Sequence, residues 1–508
     1  MTTRFDAAGV RNLATFLDDA ARRWPDQPWL HTPSGDVSRA ETLANARSIA
    51  GSLRDRGVRP NDRVVVVLPN SIEFVEVWFA LVLLGAVTSA INPASVASEL
   101  DDVIAQLQPH VVIVGDEAVG ERAVPVVRLA ELLTDHVSSF AEPHPSLSDQ
   151  PVSLIQSSGS TGKPKFIIET NLMYVLAAEG MPMWVGLDET DVMLTSLPLS
   201  HLNAQAYSVL GSWGCGAKLV LLPRFSASGF WETVHKYGVT EYNAIGAMVE
   251  ILMHQPESGL ERDNPLRIVY SAPAPVEQRH REIEERWGCR LVVGYALSES
   301  PYGLVCPIDE PVVYGSMGRP RQHPDYPHLN EARVVTPEGE PVPDGTVGEL
   351  ELRSAAITPG YLGLTDETER LRRPDGWLRT GDLATRDEAG NYFFAGRSKE
   401  IIRRRGENIA PAEIENVFDA FPGVIASAAV GVPSELGEED VKAFLQTEAG
   451  RPVDIDAIVT WCSERLPPFK RPRYVEFVDR FPLTETQKIA KRQLPRHRTA
   501  DEFDLEML

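Results

Sequence analysis

Nine residues, 157–165, read SSGSTGKPK and directly follow a short apolar stretch, 152–155, with the character of a buried strand. Gly159 and Gly162 let the backbone turn tightly and present its N–H groups. Ser157, Ser158, Ser160 and Thr161 add hydroxyls, and Lys163 and Lys165 add positive charge. Amides, hydroxyls and ammonium groups gathered in one loop suit phosphate oxygens. The segment is not a Walker A loop, because Gly159 lies too close to the Gly162-Lys163 pair and Pro164 stands where a Ser or Thr is required. Taken alone, the same composition also fits a solvated Ser/Gly connection.

Other segments carry reactive groups. They are 198–209 (PLSHLNAQAYSV), 271–275 (SAPAP), 294–300 (GYALSES), 379–382 (RTGD), 403–415 (RRRGENIAPAEIE) and 484–491 (TETQKIAK). They contribute the imidazole of His201, the carboxylates of Glu299 and Asp382, and the ammonium of Lys488, with the guanidinium of Arg397 nearby. Each has an ordinary reading in isolation: a solvated loop acid, a turn acid, surface cations. His201 reads equally as a gate or as a satisfied core histidine.

These loops need elements to hold them. Apolar runs at 64–68, 111–114, 152–155, 219–222, 268–270 and 291–293 read as buried strands, and helical patterns lie at 40–54, 71–85, 229–237 and 276–287. Strands alternating with helices predict an α/β fold with doubly wound sheets, whose ligands sit at the carboxyl ends of strands. From about 330 to 395 the texture becomes Gly-, Pro- and Asp-rich around strand-like pieces, which predicts a β-rich subdomain. A short α+β tail follows, with helices near 411–420 and 454–465 and strands near 424–432, 441–447 and 474–478. The expected division is a large N-terminal domain, 1–396, and a small mobile C-terminal domain, 397–508.

Composition narrows the function. The chain has 508 residues and a net charge of −23, which opposes nucleic acid or an anionic membrane as partner. Any phosphate must be met by local cations and backbone amides. Four dispersed cysteines predict neither metal nor disulfide use and fit a reducing cytoplasm. Residues 3–25 mix Arg and Asp and read as an amphipathic helix, not a leader, and the longest apolar run, Val77–Val87, is too short for a membrane span. Oligomeric state is not legible.

The segment 157–165 closely resembles the T-S-G-T-T-G-x-P-K signature of the acyl-adenylate-forming superfamily, which holds acyl-CoA synthetases, luciferases and peptide-synthetase adenylation domains. Further matches follow in the family's order: 294–299 resembles G-Y-G-x-T-E, and 403–415 resembles K-x-x-G-x-N-I-x-P-x-E-I-E. The segments 198–209, 221–231 and 243–249 resemble the carnitine/crotonobetaine-CoA-ligase-like branch.

The resemblance implies an ATP-dependent acid–CoA ligase using ATP, Mg²⁺ and CoA. Ser271, Ala272 and Pro273 would lie against adenine, with Gly294, Tyr295, Ala296 and Leu297 beside them and Tyr295 stacked on the base. Ser298 would touch the α-phosphate and Glu299 would hold Mg²⁺. Asp382 would take both ribose hydroxyls, and Arg397 would make a second contact to ribose or phosphate. Lys488 would contact the acid and the α-phosphate during adenylation, Gly406 would line the pantetheine tunnel, and Lys399 would be the hinge. The chain departs from the pattern at Ala296, Ser298 and Gln487, and at Ser200, where the branch places an aromatic residue. Pocket candidates 244–249, Ala296, Leu297 and Tyr302 are mostly small or apolar, so an uncharged, cyclic or aromatic acid is expected. Rival outcomes keep adenylation but change the acid or the acceptor: a carrier-protein thiol, an amine, a partner ligase, or nitrite in a biosynthetic diazotisation. A non-catalytic nucleotide sensor is the rival from another class, and it has no need of Lys488.

Overall fold

Short apolar strands broken by Gly, Pro and Ser, and alternating with helices, should stack as parallel sheets, and two large sheets form. The computed structural model describes residues 12–95, 97–115, 124–134, 140, 143–145, 147–157, 165–323, 329–400, 402–404, 407–434, 439–447, 454–484 and 489–505. The first sheet runs Val126–Arg128, Val111–Val114, Arg63–Val67, Val87–Ala90, Pro151–Ser157, Lys165–Thr170, parallel except for its last, antiparallel pair.

The second sheet has thirteen strands. Six neighbours run parallel: Pro28–Thr32, Lys218–Leu221, Val192–Thr195, Glu241–Asn243, Ile268–Ser271 and Arg290–Leu297. Beyond Arg290–Leu297 every pairing is antiparallel, through Ser300–Val305, Ser316–Pro320, Tyr392–Arg397, Leu378–Arg386, Gly348–Ser354 and Asn330–Val335. The thirteenth strand, Gly35–Ser38, pairs antiparallel with Pro28–Thr32 at the other edge, and between the two edges the sheet changes from parallel to antiparallel at Arg290–Leu297.

Helices Ile72–Leu84 and Asn171–Val185 belong to the largest core and are apolar on nearly all sides, as befits helices enclosed by other elements. Ser71 and Thr170 cap their N-termini, and Gly85 and Gly186, both left-handed, close their C-termini. The apolar run 77–87 therefore spans two elements: the helix stops at Leu84 and the chain re-enters the sheet at Val87. Among the described residues no helix is long and apolar enough to cross a membrane.

The tail builds its own four-stranded sheet from Val424–Pro433, Glu439–Thr447, Tyr474–Val478 and Glu502–Asp504. Helices Pro411–Asp419 and Ile455–Arg465 cover it around Ile414, Phe418, Leu445, Ile458 and Val475. A mixed α/β architecture with a large N-terminal and a smaller C-terminal domain is what the sequence led us to expect.

One glycine fixes the changeover strand. A Cβ on Gly303 would lie 2.1 Å from the carbonyl oxygen of Tyr295, so only glycine lets the two antiparallel strands approach this closely. We expect Gly303→Ala to destabilise the protein by about 1–3 kcal/mol, the usual cost of forced overpacking. Scanning calorimetry should show its midpoint several degrees below wild type, with Gly259→Ala, where an added Cβ meets nothing within 4 Å, as the control. Equal midpoints for the two variants would refute the packing argument.

Candidate active site

The carboxyl ends of four adjacent parallel strands set one edge of the second sheet. Val192–Thr195 leads into the segment holding His201, Glu241–Asn243 into 244–249, Ile268–Ser271 into Ala272 and Pro273, and Arg290–Leu297 into Ser298 and Glu299. Parallel strands of one sheet must end on the same side, so topology alone brings these loops together. Gly246 N–H donates to the Ala272 carbonyl at 2.9 Å, tying two of them directly.

Ser298 and Glu299 form a two-residue turn, because Leu297 pairs with Ser300 across the hairpin. Glu299 is half-buried; its Oε1 accepts from Tyr361 Oη at 2.8 Å, and its backbone carbonyl accepts from Thr358 N–H at 2.9 Å. Burial first, then the Glu299 charge, pushes the Tyr361 phenol well above its ordinary range, so it stays a donor. Gly294, Ala296 and Leu297 lie along the same strand as Tyr295.

Tyr295 Oη donates to Asp382 Oδ2 at 2.7 Å, and Arg397 Nε lies 3.1 Å from Asp382 Oδ1. Asp382 and Arg397 are direct partners on adjacent strands, which explains the ion pair. Asp382 is buried while the Arg397 side chain is 53% exposed, so the arginine reaches the carboxylate from the solvent side. Burial, followed by the neighbouring Asp382 charge, holds the Tyr295 phenol well above its usual value. The sequence brings these three residues together from positions 295, 382 and 397.

Ser157 and Lys165 face each other as the last pair of their hairpin. Lys165 Nζ sits 3.5 Å from Glu367 and 5.1 Å from the Tyr361 ring centroid, so it joins the Glu299 group through Tyr361. Ser158, Gly159, Ser160, Thr161, Gly162 and Lys163 lie outside the described residues, as do Gly406 and Lys488. Lys399 belongs by its backbone to the 3₁₀ turn Ser398–Glu400, immediately after the strand that ends at Arg397. Ser271 is buried and Pro273 exposed at the loop edge. His201 is half-buried, and its carbonyl accepts from Gln205 N–H at 3.3 Å at the entry to a π-helix, Asn203–Leu210. Such i→i+5 segments are rare and concentrate at functional sites.

Two residues of the site escaped sequence reading. Tyr361 reaches Glu299 because the 358–361 segment runs beside strand Lys165–Thr170, with Ile167 bridged to Tyr361. Glu169 lies on the same strand face as Lys165, fully buried, with neither carboxylate oxygen hydrogen-bonded. No local pattern marks either residue, since both depend on long-range pairing.

Residues 17–362 match the family described as AMP-binding enzyme, and residues 413–488 match the AMP-binding enzyme C-terminal domain. The chain is 30% identical to the sulfoacetate–CoA ligase of Cupriavidus necator, over 98% of this chain and all of that protein. It is 28% identical to the crotonobetaine/carnitine–CoA ligase of Proteus mirabilis, over 96% of this chain and all of that one. Its fold is similar to ATP-bound MatB from Rhodopseudomonas palustris, with TM-score 0.87 and 25% identity over 94% of this chain and 97% of that one.

Burial, and then the Glu299 charge, raise the Glu169 carboxyl well above its ordinary value of 4.5. The native protein therefore keeps a proton there that the unfolded chain releases. That contribution to stability is fully present below about pH 4.5 and is lost as pH rises toward the raised native value. Glu169→Gln has no proton to release. Its melting midpoint relative to wild type should be flat below pH 4.5 and climb as pH rises from there toward the raised native value, the climb being the readout. A pH-independent difference would show that Glu169 is not held protonated.

Proposed function

The chain belongs to the AMP-binding enzyme family, and from that premise we propose how its own residues divide the activation of an acid. The enzyme is an ATP-dependent, AMP-forming acid–CoA ligase. A carboxylate oxygen attacks the α-phosphorus of ATP, the bond to pyrophosphate breaks, and the acyl-AMP forms. The CoA sulfur then attacks the acyl carbon, AMP leaves, and the thiol proton is lost.

The difficulty in the first step is the approach of anions. Glu299 fits as the protein ligand of Mg²⁺: its hard carboxylate is half-buried and held at a tight turn, and one oxygen is oriented by Tyr361. Bound there, the cation would draw charge from the phosphate oxygens. The segment 157–165 cradles the phosphates, with Lys165 beside Tyr361. Asp382 accepts from the ribose hydroxyls, and its orientation is preset by Tyr295 and Arg397. Ser271, Ala272 and Pro273 border the adenine beside Tyr295, and Ser298 meets the α-phosphate. His201 stands at the acid. The observation that carries this reading is the junction, through Tyr361, of Glu299 and the Tyr295–Asp382–Arg397 group of the second sheet with Lys165 of the first. Acid-dependent exchange of pyrophosphate into ATP, measured over a panel of acids and repeated with CoA, tests it.

The tail domain serves both half-reactions in turn. Lys488 supplies charge during adenylation, the Gly406 loop admits the pantetheine arm afterwards, and the chain swivels at Lys399 between them.

Lys488→Ala should lower acid-dependent pyrophosphate exchange by two to four orders of magnitude, about 3–5 kcal/mol for a contact made in the transition state. Exchange within threefold of wild type would remove Lys488 from the adenylation step. Gly406→Leu should leave that exchange intact and stall thioester formation when CoA is added to pre-formed adenylate, followed by mass spectrometry. An unchanged transfer rate would place the tunnel elsewhere.

A further inference from the structure

The core holds a second buried arginine group whose partners are unusual. Arg321 is 1% exposed. Its Nε donates to the Leu304 carbonyl at 2.8 Å, its Nη1 to Tyr207 Oη at 3.0 Å, and its Nη2 to Tyr270 Oη. The guanidinium lies 4.2 Å from the Trp184 ring centroid. Every one of these partners is neutral. Three of the five N–H groups of a guanidinium are thereby used, which leaves one on each terminal nitrogen. A buried cation without an anion is costly, and cation–π contacts and hydroxyls offset only part of the cost.

Arg39 shows how this protein buries an arginine for structure alone. Its Nε and Nη2 donate to the backbone carbonyls of Trp213, Ser212 and Ala217, and desolvation lowers its pKa to about 10. Arg321 instead faces two tyrosine hydroxyls: that of Tyr207 accepts from it and donates to the Pro301 carbonyl, while that of Tyr270 accepts from it and keeps its proton to donate to an anion.

Its position is also different. A Cβ on Gly294 would lie 2.5 Å from Arg321 Nη2 and 2.2 Å from Tyr270 Oη, so the charge presses on the first residue of the 294–300 segment. Gly294 precedes Ser298 by four residues, roughly 13 Å along an extended strand. Tyr302, three residues past Glu299, is fully buried with its ring 4.7 Å from Trp184, and its hydroxyl and the Trp184 Nε1–H have no neighbour to bond beyond each other. Tyr207, which binds Arg321, stands in the π-helix that follows His201. Two unused guanidinium N–H groups, on a positive charge whose bonded partners among the described residues are all neutral, thus lie behind the strand that carries Glu299.

We propose that Arg321, held in place by the Tyr207 hydroxyl and aided by those of Tyr270 and Tyr302, receives a second anionic group of the acid, distal to the carboxylate that is activated. The substrate class is then a short dianionic acid, a dicarboxylate or a sulfonated carboxylate, not the uncharged acid that the apolar pocket candidates suggest. This rests on the adenylation reading above.

The test is acid-dependent pyrophosphate exchange with straight-chain dicarboxylates of three to eight carbons and with sulfoacetate, each set against a neutral counterpart: the monomethyl ester, or the matching monocarboxylate. At least one dianionic acid should exceed its counterpart in kcat/KM by tenfold or more. Arg321→Met should collapse that ratio to near one, Arg321→Lys should keep part of it, and ATP affinity by calorimetry should be unchanged in both. If Arg321→Met does not fold, Tyr207→Phe, which keeps the ring and removes one hydroxyl, should lower the ratio at least threefold. The dicarboxylate and sulfoacetate arms identify which anion is received. Preference for neutral acids, or a ratio that survives Arg321→Met and Tyr207→Phe, overturns the proposal and leaves adenylation standing. Exchange with no acid of either kind overturns the adenylation reading and this one with it.

Discussion

The structure turns on a two-residue hairpin. At Ser298 and Glu299 a six-strand parallel array gives way to an antiparallel one, and the chain reverses between Arg290–Leu297 and Ser300–Val305. A parallel strand must leave the sheet through a crossover, whereas an antiparallel one returns at once. The first exposes strand ends for ligands and the second supplies a rigid return. Glu299 sits where both happen, so its carboxylate is fixed by backbone geometry before any side chain contributes. Gly303 permits the close approach to Tyr295, and Thr358 holds the Glu299 backbone from the far side. Tyr295, four residues earlier, then reaches Asp382 on a strand of the antiparallel half. The hairpin joins the two halves of the sheet chemically as well as topologically.

That arrangement explains how a chain of net charge −23 can handle a triphosphate. Its field opposes anions at long range, but screening limits that field to about a Debye length in physiological salt. What matters is the immediate neighbourhood, and there the cations are already paired: Lys165 with Glu367, Arg397 with Asp382. Arg397 is half-exposed and Lys165 mostly covered, so neither pair is a deeply buried lock. Exchanging a carboxylate partner for a phosphate then costs little, since a charge-assisted hydrogen bond is replaced by another of similar kind. Bare cations at the site would bind phosphate more tightly but would also attract any anion.

The sequence was legible wherever local chemistry decides the structure. Helices at 39–55, 72–84, 230–237 and 277–287 lie within a residue or so of their expected limits, and the strands at 111–114, 268–271 and 474–478 do the same. They are bounded by residues that cap or break: Ser38 and Ser71 at N-termini, Gly85, Gly238 and Gly288 at C-termini. Asn171–Val185 was not anticipated, because it is buried on nearly every side and so shows no amphipathic period, and it contains Gly180 and Pro182. Gly180 is required there, since a Cβ would lie 2.1 Å from the Trp184 ring. In the site, Glu299, Asp382 and Arg397 were recognisable from motif order. Tyr361, Glu169 and Arg321 were not: each acquires its neighbours through pairing between distant strands, and nothing within a dozen residues of any of them announces it.

The contrast between Glu169 and Arg321 carries the synthesis one step further. Both are buried and ionisable, and both lie within electrostatic range of Tyr207. Each meets its burial in the way its chemistry allows. A carboxyl can shed its charge by holding a proton, and Glu169, whose nearest charged neighbour is another acid, does so. A guanidinium cannot, because its pKa lies too high, so Arg321 stays charged wherever it is placed. It must be solvated by whatever the fold provides, and among the described residues the fold bonds it to two tyrosine hydroxyls and a backbone carbonyl, beside the Trp184 ring, and to no carboxylate. Arg39 is likewise buried among neutral partners, so burial without a carboxylate does not by itself assign a role. What sets Arg321 apart is its place beside Gly294, at the start of the segment that carries Glu299, and that placement is the physical reason to assign it to recognition and not to packing.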